Sequence, residues 1–122
     1  MSSEEEREID IDELERDDDF DIYYHEGQLF TGVAIERWPN GALRARSEFE
    51  NGWEVGTDRE WYESGQLKYK ARMGVDVHDG TIEEWYENGR RKLVSEYDRG
   101  QLIRQKIWDE TGVLIEDFDR TK

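Results

Sequence analysis

The stretch Glu83–Lys92, EEWYENGRRK, has a near twin at Arg59–Lys68, REWYESGQLK. Looser copies stand at Glu36–Arg44, ERWPNGALR, and at Lys106–Ile115, KIWDETGVLI. A phrase that recurs at a fixed period marks a repeated structural unit. Gly41, Gly65, Gly89 and Gly112 follow PN, ES, EN and ET, and form one family of turns. Gly27, Gly52 and Gly100 form a second family, with Asp76 where a further Gly would fall. Gly32, Gly56 and Gly80 recur every 24 residues. The unit is therefore about 24 residues long and holds two turns and two runs of roughly eight to ten residues. Those runs are short, rich in Trp, Tyr, Val and Ile, and bounded by Asn-Gly or Ser-Gly, so they read as strands.

A loop such as Glu87-Asn88-Gly89 suits a type I turn closed by a left-handed Gly, a three-residue hairpin connection. Counting outward places Glu36 opposite Arg44, Glu60 opposite Lys68 and Glu84 opposite Lys92, three pairs of opposite charge. Further pairs are Asp58 with Lys70, Ile82 with Val94, and Ile107 with Ile115. The same count puts Trp61, Trp85 and Trp108 beside Leu67, Arg91 and Leu114. Tyr69, Leu93, Ala71, Ser95, Phe49, Met73 and Tyr97 continue that face, which is expected to be the core. The other face carries the Glu/Lys ladder with Trp38, Tyr62 and Tyr86 near the turns. A lone hairpin cannot bury its apolar face, so neighbours must stack into one sheet. The expected fold is all-β: an antiparallel meander of tandem hairpins forming a single elongated twisted sheet.

The chain has 122 residues, no Cys and a formal charge of −15. Residues 1–21 hold twelve Asp/Glu against two Lys/Arg, a net of −10, which leaves −5 for the remainder. Residues 1–19 are accordingly expected to be an acidic, disordered tail, and residues 20–122 the repeat domain. Ile9, Ile11 and Leu14 leave room for a short element formed on contact. Phe20, Ile22 and Tyr24 alternate with polar neighbours as a half-buried strand does. No run is long and apolar enough to span a membrane. The acidic N-terminus is unlike a secretory signal, so a cytoplasmic location is expected. The negative balance argues against nucleic acid and anionic lipid as partners and favours a basic protein.

Catalytic chemistry has little to build on. His25 and His78 are the two histidines, and His78 sits in DVHDG beside Asp76 and Asp79 without a third convergent group. The glycines close strand turns and never open a helix, so they are not phosphate loops. No enzymatic activity, cofactor or metal is expected. The candidate partner-binding row is Trp38, Tyr62 and Tyr86 with Glu60, Glu63, Glu84, Glu87 and Glu110. Exposed aromatics beside acids are plausible contacts for a protein, although they also serve simply to cover a sheet.

The segments GTDREWYESGQLKYKARM and GTIEEWYENGRRKLVSEY resemble the MORN-variant repeat, tandem arrays of which make up YwqK-type bacterial antitoxin or immunity proteins. The resemblance covers residues 20–119. Its first copy departs with Trp38-Pro39 at the Trp-Tyr position, and its last has Trp108-Asp109 and Ile103 in place of the leading Gly. It implies a protein that neutralises a cognate toxin by masking its active site. The alternative is a MORN-type scaffold that organises other proteins or a membrane surface. Either a monomer or a homodimer paired at open sheet edges is compatible with the pattern.

Overall fold

Four loops of one design set the architecture. Backbone N–H groups of Trp38, Tyr62, Tyr86 and Asp109 donate to the carbonyls of Ala42, Gln66, Arg90 and Val113, at 2.8–2.9 Å. Gly41, Gly65, Gly89 and Gly112 donate back to the same four leading residues. Each of these glycines has φ between 92° and 97°, or 90° at Gly89, where a side chain would be strained. These are the three-residue hairpin loops expected from ENG and its relatives. At the opposite ends of the strands, Asn51-Gly52 and Arg99-Gly100 both have positive φ at each position, as two-residue type I′ turns require.

The computed structural model of the chain describes residues 8–73 and 80–121. Its strands are β1 (Glu8–Asp10), β2 (Glu15–Asp17), β3 (Ile22–His25), β4 (Gln28–Leu29), β5 (Gly32–Arg37) and β6 (Leu43–Glu50). They continue with β7 (Trp53–Trp61), β8 (Leu67–Met73), β9 (Gly80–Trp85), β10 (Arg91–Asp98), β11 (Gln101–Trp108) and β12 (Leu114–Asp119). Strands β5 to β12 follow one another in sequence order as an antiparallel meander, and β1 adds in parallel to the outer edge of β5. The protein is all-β, a β-hairpin repeat. A second, three-stranded sheet, β2-β3-β4, lies beside it.

Each hairpin then departs from simple pairing at the same place. Trp61 faces Leu67, but Glu60 faces Tyr69; Trp85 faces Arg91, but Glu84 faces Leu93. Arg37 faces Leu43 and Glu36 faces Ala45; Trp108 faces Leu114 and Ile107 faces Glu116. Arg44, Lys68, Lys92 and Ile115 are therefore the extra residues of four equivalent β-bulges. The expected directly opposed pairs Glu36–Arg44, Glu60–Lys68, Glu84–Lys92 and Ile107–Ile115 are corrected by one residue. So are Asp58–Lys70 and Ile82–Val94, since Asp58 faces Ala71 and Ile82 faces Ser95. An inserted residue exchanges the faces of everything beyond it, because side chains alternate with a period of two.

The core follows from that exchange. Directly paired residues share a face, so Glu36, Ala45, Glu60, Tyr69, Glu84, Leu93, Ile107 and Glu116 form one row across the sheet. Ala34, Ser47, Ala71, Ile82, Ser95 and Gln105 lie in the next row of this face. Its buried members include Ala71 and Ser95, and its N-terminal end carries Phe49 and Ala34 against Phe30. Tyr23, Ile9, Ile11 and Leu14 pack on that cluster. The rings of Tyr23, Phe49 and Phe30 stand 4.8 and 5.6 Å apart in tilted contact. Burying a Phe of this kind stabilises the fold by about 1.5–3 kcal/mol.

Trp61, Trp85 and Trp108 lie on the other face and are half-buried, so the expectation that they form the core with Leu93 and Tyr69 is corrected. The expectation of disorder over residues 1–19 is corrected for residues 8–17, while residues 1–7 lie outside the described residues. Residues 8–10 are a sheet strand, Ile11–Glu13 is a 3-10 turn capped by the Asp10 carboxylate, and residues 15–17 pair with β3. The acidic segment is held by its three aliphatic side chains, which find the phenylalanine cluster of the same chain. His78, Asp76 and Asp79 lie outside the described residues.

Candidate functional site

The edge of the sheet formed by the three-residue loops gathers the expected partner-binding residues, and the loops position them by a repeated hydrogen bond. The Trp38 Nε1–H donates to the Trp61 carbonyl at 3.1 Å. The Tyr62 hydroxyl donates to the Trp85 carbonyl, and the Tyr86 hydroxyl to the Trp108 carbonyl, both at 2.8 Å. Every aromatic of the row thus clips its own hairpin to the next one, 22 or 23 residues on. Asn40 and Asn88 add side-chain bonds to the Glu63 and Glu110 carbonyls at 3.3 and 3.1 Å. Arg90 reaches the Thr111 carbonyl.

Asp109 holds the clip position in the last hairpin. Its carboxylate turns inward on its own loop and accepts from the Thr111 hydroxyl and from the Thr111 and Val113 N–H groups. The Thr111 bond first, and then the backbone bonds, hold it below the usual carboxylate range. Asp109 thus closes its own loop and makes no inter-hairpin bond among the described residues.

The bulge residues complete the row. Arg44 lies over the Trp38 ring at 4.6 Å, Lys68 over Tyr62 at 5.5 Å and Lys92 over Tyr86 at 5.6 Å. Arg44 also reaches Glu36 at 3.6 Å, and Lys92 reaches Glu84 at 3.9 Å. Among the described residues no ion pair joins Glu60 to Lys68. The charges therefore share a face as expected, although they meet diagonally across a bulge rather than in register. Glu63, Glu87 and Glu110 are exposed in the loops, whereas Glu60 and Glu84 are half-buried on the strands. Burial raises the Tyr62 phenol, and Glu87, Glu84 and Glu110 raise it further. Tyr69, on the same face, is raised by burial and then by Asp58, Glu60 and Glu84. The acids are close enough for their fields to converge on this face.

Residues 54–73 match the MORN repeat variant family. No curated protein and no solved structure matches the chain. The matched segment is one MORN-variant hairpin, β7–β8 with its loop, and the three other hairpins repeat its loop bonds and its bulge. In this repeat the aromatic after Trp61 is the inter-hairpin clip. Trp38 occupies that place in the first hairpin, so Arg37-Trp38 and not the expected Trp38-Pro39 stands at its Trp-Tyr position, and Pro39 falls where Glu63 and Glu87 follow the tyrosines.

Two features of this face were not legible from spacing. One is the Ser47–Asp58–Glu54 group, in which Ser47 donates to Asp58 at 2.7 Å. Burial, reinforced by the charge of Asp58, pushes Glu54 up to about 7. The other is the backbone kink that makes the group: β7 spends residues 55–59 on the length that β6 spans from 48 to 46, with Gly56 at φ 69°. A Cβ on Gly56 would displace the Glu48 carboxylate, the end of a flexible side chain, so it is the positive φ that makes the bulge demand glycine. No helix of the described residues is long and apolar enough to cross a membrane.

Proposed function

We propose that the protein is a recognition module, not an enzyme, and that its acidic loop edge captures a basic protein partner. The observation that carries this reading is the row of exposed Glu63, Glu87 and Glu110, presented at repeat spacing beside half-buried Tyr62 and Tyr86. The clips fix each loop against its neighbour, so the row is preorganised and little ordering cost falls on binding. Carboxylates arranged this way steer a basic partner and tune its association rate and salt dependence. In the finer form of the proposal, the partner is a cognate bacterial toxin whose basic active site is masked in the cytoplasm.

The MORN-variant match at residues 54–73 supports a repeat scaffold, and the resemblance to immunity proteins motivates the toxin reading. The direct test is co-expression with the toxin encoded next to this gene. Growth rescue by the wild type, lost in E63K/E87K/E110K, is expected. Failure of the wild type to rescue growth removes the toxin reading. Flotation with anionic vesicles instead would favour a scaffold at a membrane surface.

A further inference from the structure

The face that carries Trp61, Trp85 and Trp108 is also the basic face of this acidic protein. Across it runs a row of directly paired residues: Ile35, Arg46, Arg59, Lys70, Glu83, Val94, Lys106 and Asp117. Arg59 stands opposite Arg46 on one neighbouring strand and opposite Lys70 on the other. Along its own strand, the flanking residues of the same face are Thr57 and Trp61. Like charges directly opposite one another oppose sheet formation. On the other face, the row of acids avoids this: Glu60 lies between Ala45 and Tyr69, and Glu84 between Tyr69 and Leu93.

Arg46 is relieved by Glu48 at 2.8 Å, and Arg91 by Glu83 at 3.2 Å. Among the described residues no ion pair reaches Arg59, Lys70 or Lys106. The row is central in the sheet, on β6 to β8, so it does not serve to blunt an exposed edge. Farther along this face, Arg91, Glu96, Arg104, Lys106 and Trp108 line an open cleft of about 380 Å3.

We infer that this face is a second binding surface, and that its occupant is an acidic polypeptide segment lying across the strands. Charge complementarity selects an anion: of the three cations on consecutive strands, Arg46 has Glu48 and Lys70 faces Glu83, whereas Arg59 between them has no ion pair among the described residues. A polypeptide is favoured over single-stranded nucleic acid because the indoles do not form an unbroken row of open stacking platforms. Trp61, Trp85 and Trp108 are half-buried, and Arg91 already lies over Trp85 at 5.9 Å. Base stacking on aromatic faces is what such nucleic-acid sites depend on. From β6 to β11 the row spans five strand spacings, roughly 24 Å. An extended peptide of about seven or eight residues covers that distance. A partner for each face would make the protein a bridge between a basic and an acidic protein, a role the first proposal neither requires nor excludes.

The test uses the full chain and a fluorescein-labelled peptide alternating Glu and Thr, followed by anisotropy at low salt. Saturable binding that falls about tenfold in R59Q/K70Q is expected, with K68Q/K92Q on the opposite face unaffected. R59Q/K70Q is also expected to unfold at a higher urea concentration than the wild type, because the opposed cations are gone. Gain of stability with loss of binding marks a site kept for a ligand. The inference is overturned if the peptide fails to bind, or if both double variants bind like the wild type. It is also overturned if a labelled oligothymidylate of equal charge binds more tightly than the peptide.

Discussion

Replacing Tyr62 by Phe removes one oxygen and leaves the ring, its packing and the Lys68 contact in place. The lost atom is the donor to the Trp85 carbonyl at 2.8 Å, a half-buried bond between adjacent hairpins. A net intramolecular hydrogen bond contributes about 0.5–1.5 kcal/mol. For a domain of this size that corresponds to a fall in Tm of roughly 3–6 °C. In urea, with a slope of roughly 2 kcal/mol per molar, the midpoint moves down by about 0.5 M. Tyr86→Phe removes the next clip, to Trp108, and is expected to cost the same. In a repeat array, stability is close to a sum of neighbour interfaces, so the double variant should lose about 2 kcal/mol. Tryptophan fluorescence and circular dichroism in urea read both. Tyr24→Phe is the control, since among the described residues its hydroxyl makes no hydrogen bond. If Tyr62→Phe is as stable as the wild type, or if Tyr24→Phe loses as much, the phenols are not clips. The tyrosines would then be free contact residues and nothing more.

Other outcomes follow from the same geometry. Phe49→Ala opens the cluster with Phe30 and Tyr23 and should cost about 3–5 kcal/mol in urea unfolding. Gly56→Ala meets a positive φ, and should cost roughly 1–3 kcal/mol by the same assay. Glu54 is pushed up to about 7 in the folded chain from an ordinary 4.5, so folding takes up protons at this site. Its contribution is most favourable below about 4.5 and is lost as pH rises through about 7. The stability of wild type relative to E54Q should therefore decline across that window and be flat outside it. A difference that is level from 4 to 8 would contradict the raising of Glu54 by its burial beside Asp58. Finally, E63K/E87K/E110K should slow association with a basic partner and flatten its salt dependence without changing Tm by more than a degree or two.

The loops were legible in the sequence because their chemistry is local. Asn88-Gly89 and Ser64-Gly65 permit few other backbone paths, and with them came the meander, the repeat length and the row of Trp38, Tyr62 and Tyr86. The bulges were not legible, because nothing in GQLKY or GRRKL distinguishes an unpaired Lys from a paired one. The insertion is decided by how two twisted strands meet just beyond the loop. Its consequence reaches far: Leu93 and Ser95 leave the side of Trp85, the core moves to the Phe30–Phe49 end, and Arg59 joins Arg46 and Lys70. The same ambiguity hid the basic row, since a net charge of −15 says nothing about how 17 cations divide between two faces. Residues 8–17 escaped for a different reason. Their charge density outweighs Ile9, Ile11 and Leu14 in any composition argument, but three aliphatic side chains suffice to hold a short segment when an aromatic cluster stands ready.

Both proposed surfaces depend on that register, and cross-strand nuclear Overhauser contacts read it residue by residue. Contacts that pair Glu60 with Tyr69 and Glu84 with Leu93, alongside Trp61 with Leu67 and Trp85 with Arg91, are expected. Contacts that pair Glu60 with Lys68 and Glu84 with Lys92 would return the tryptophans to the core side and dissolve the cationic row.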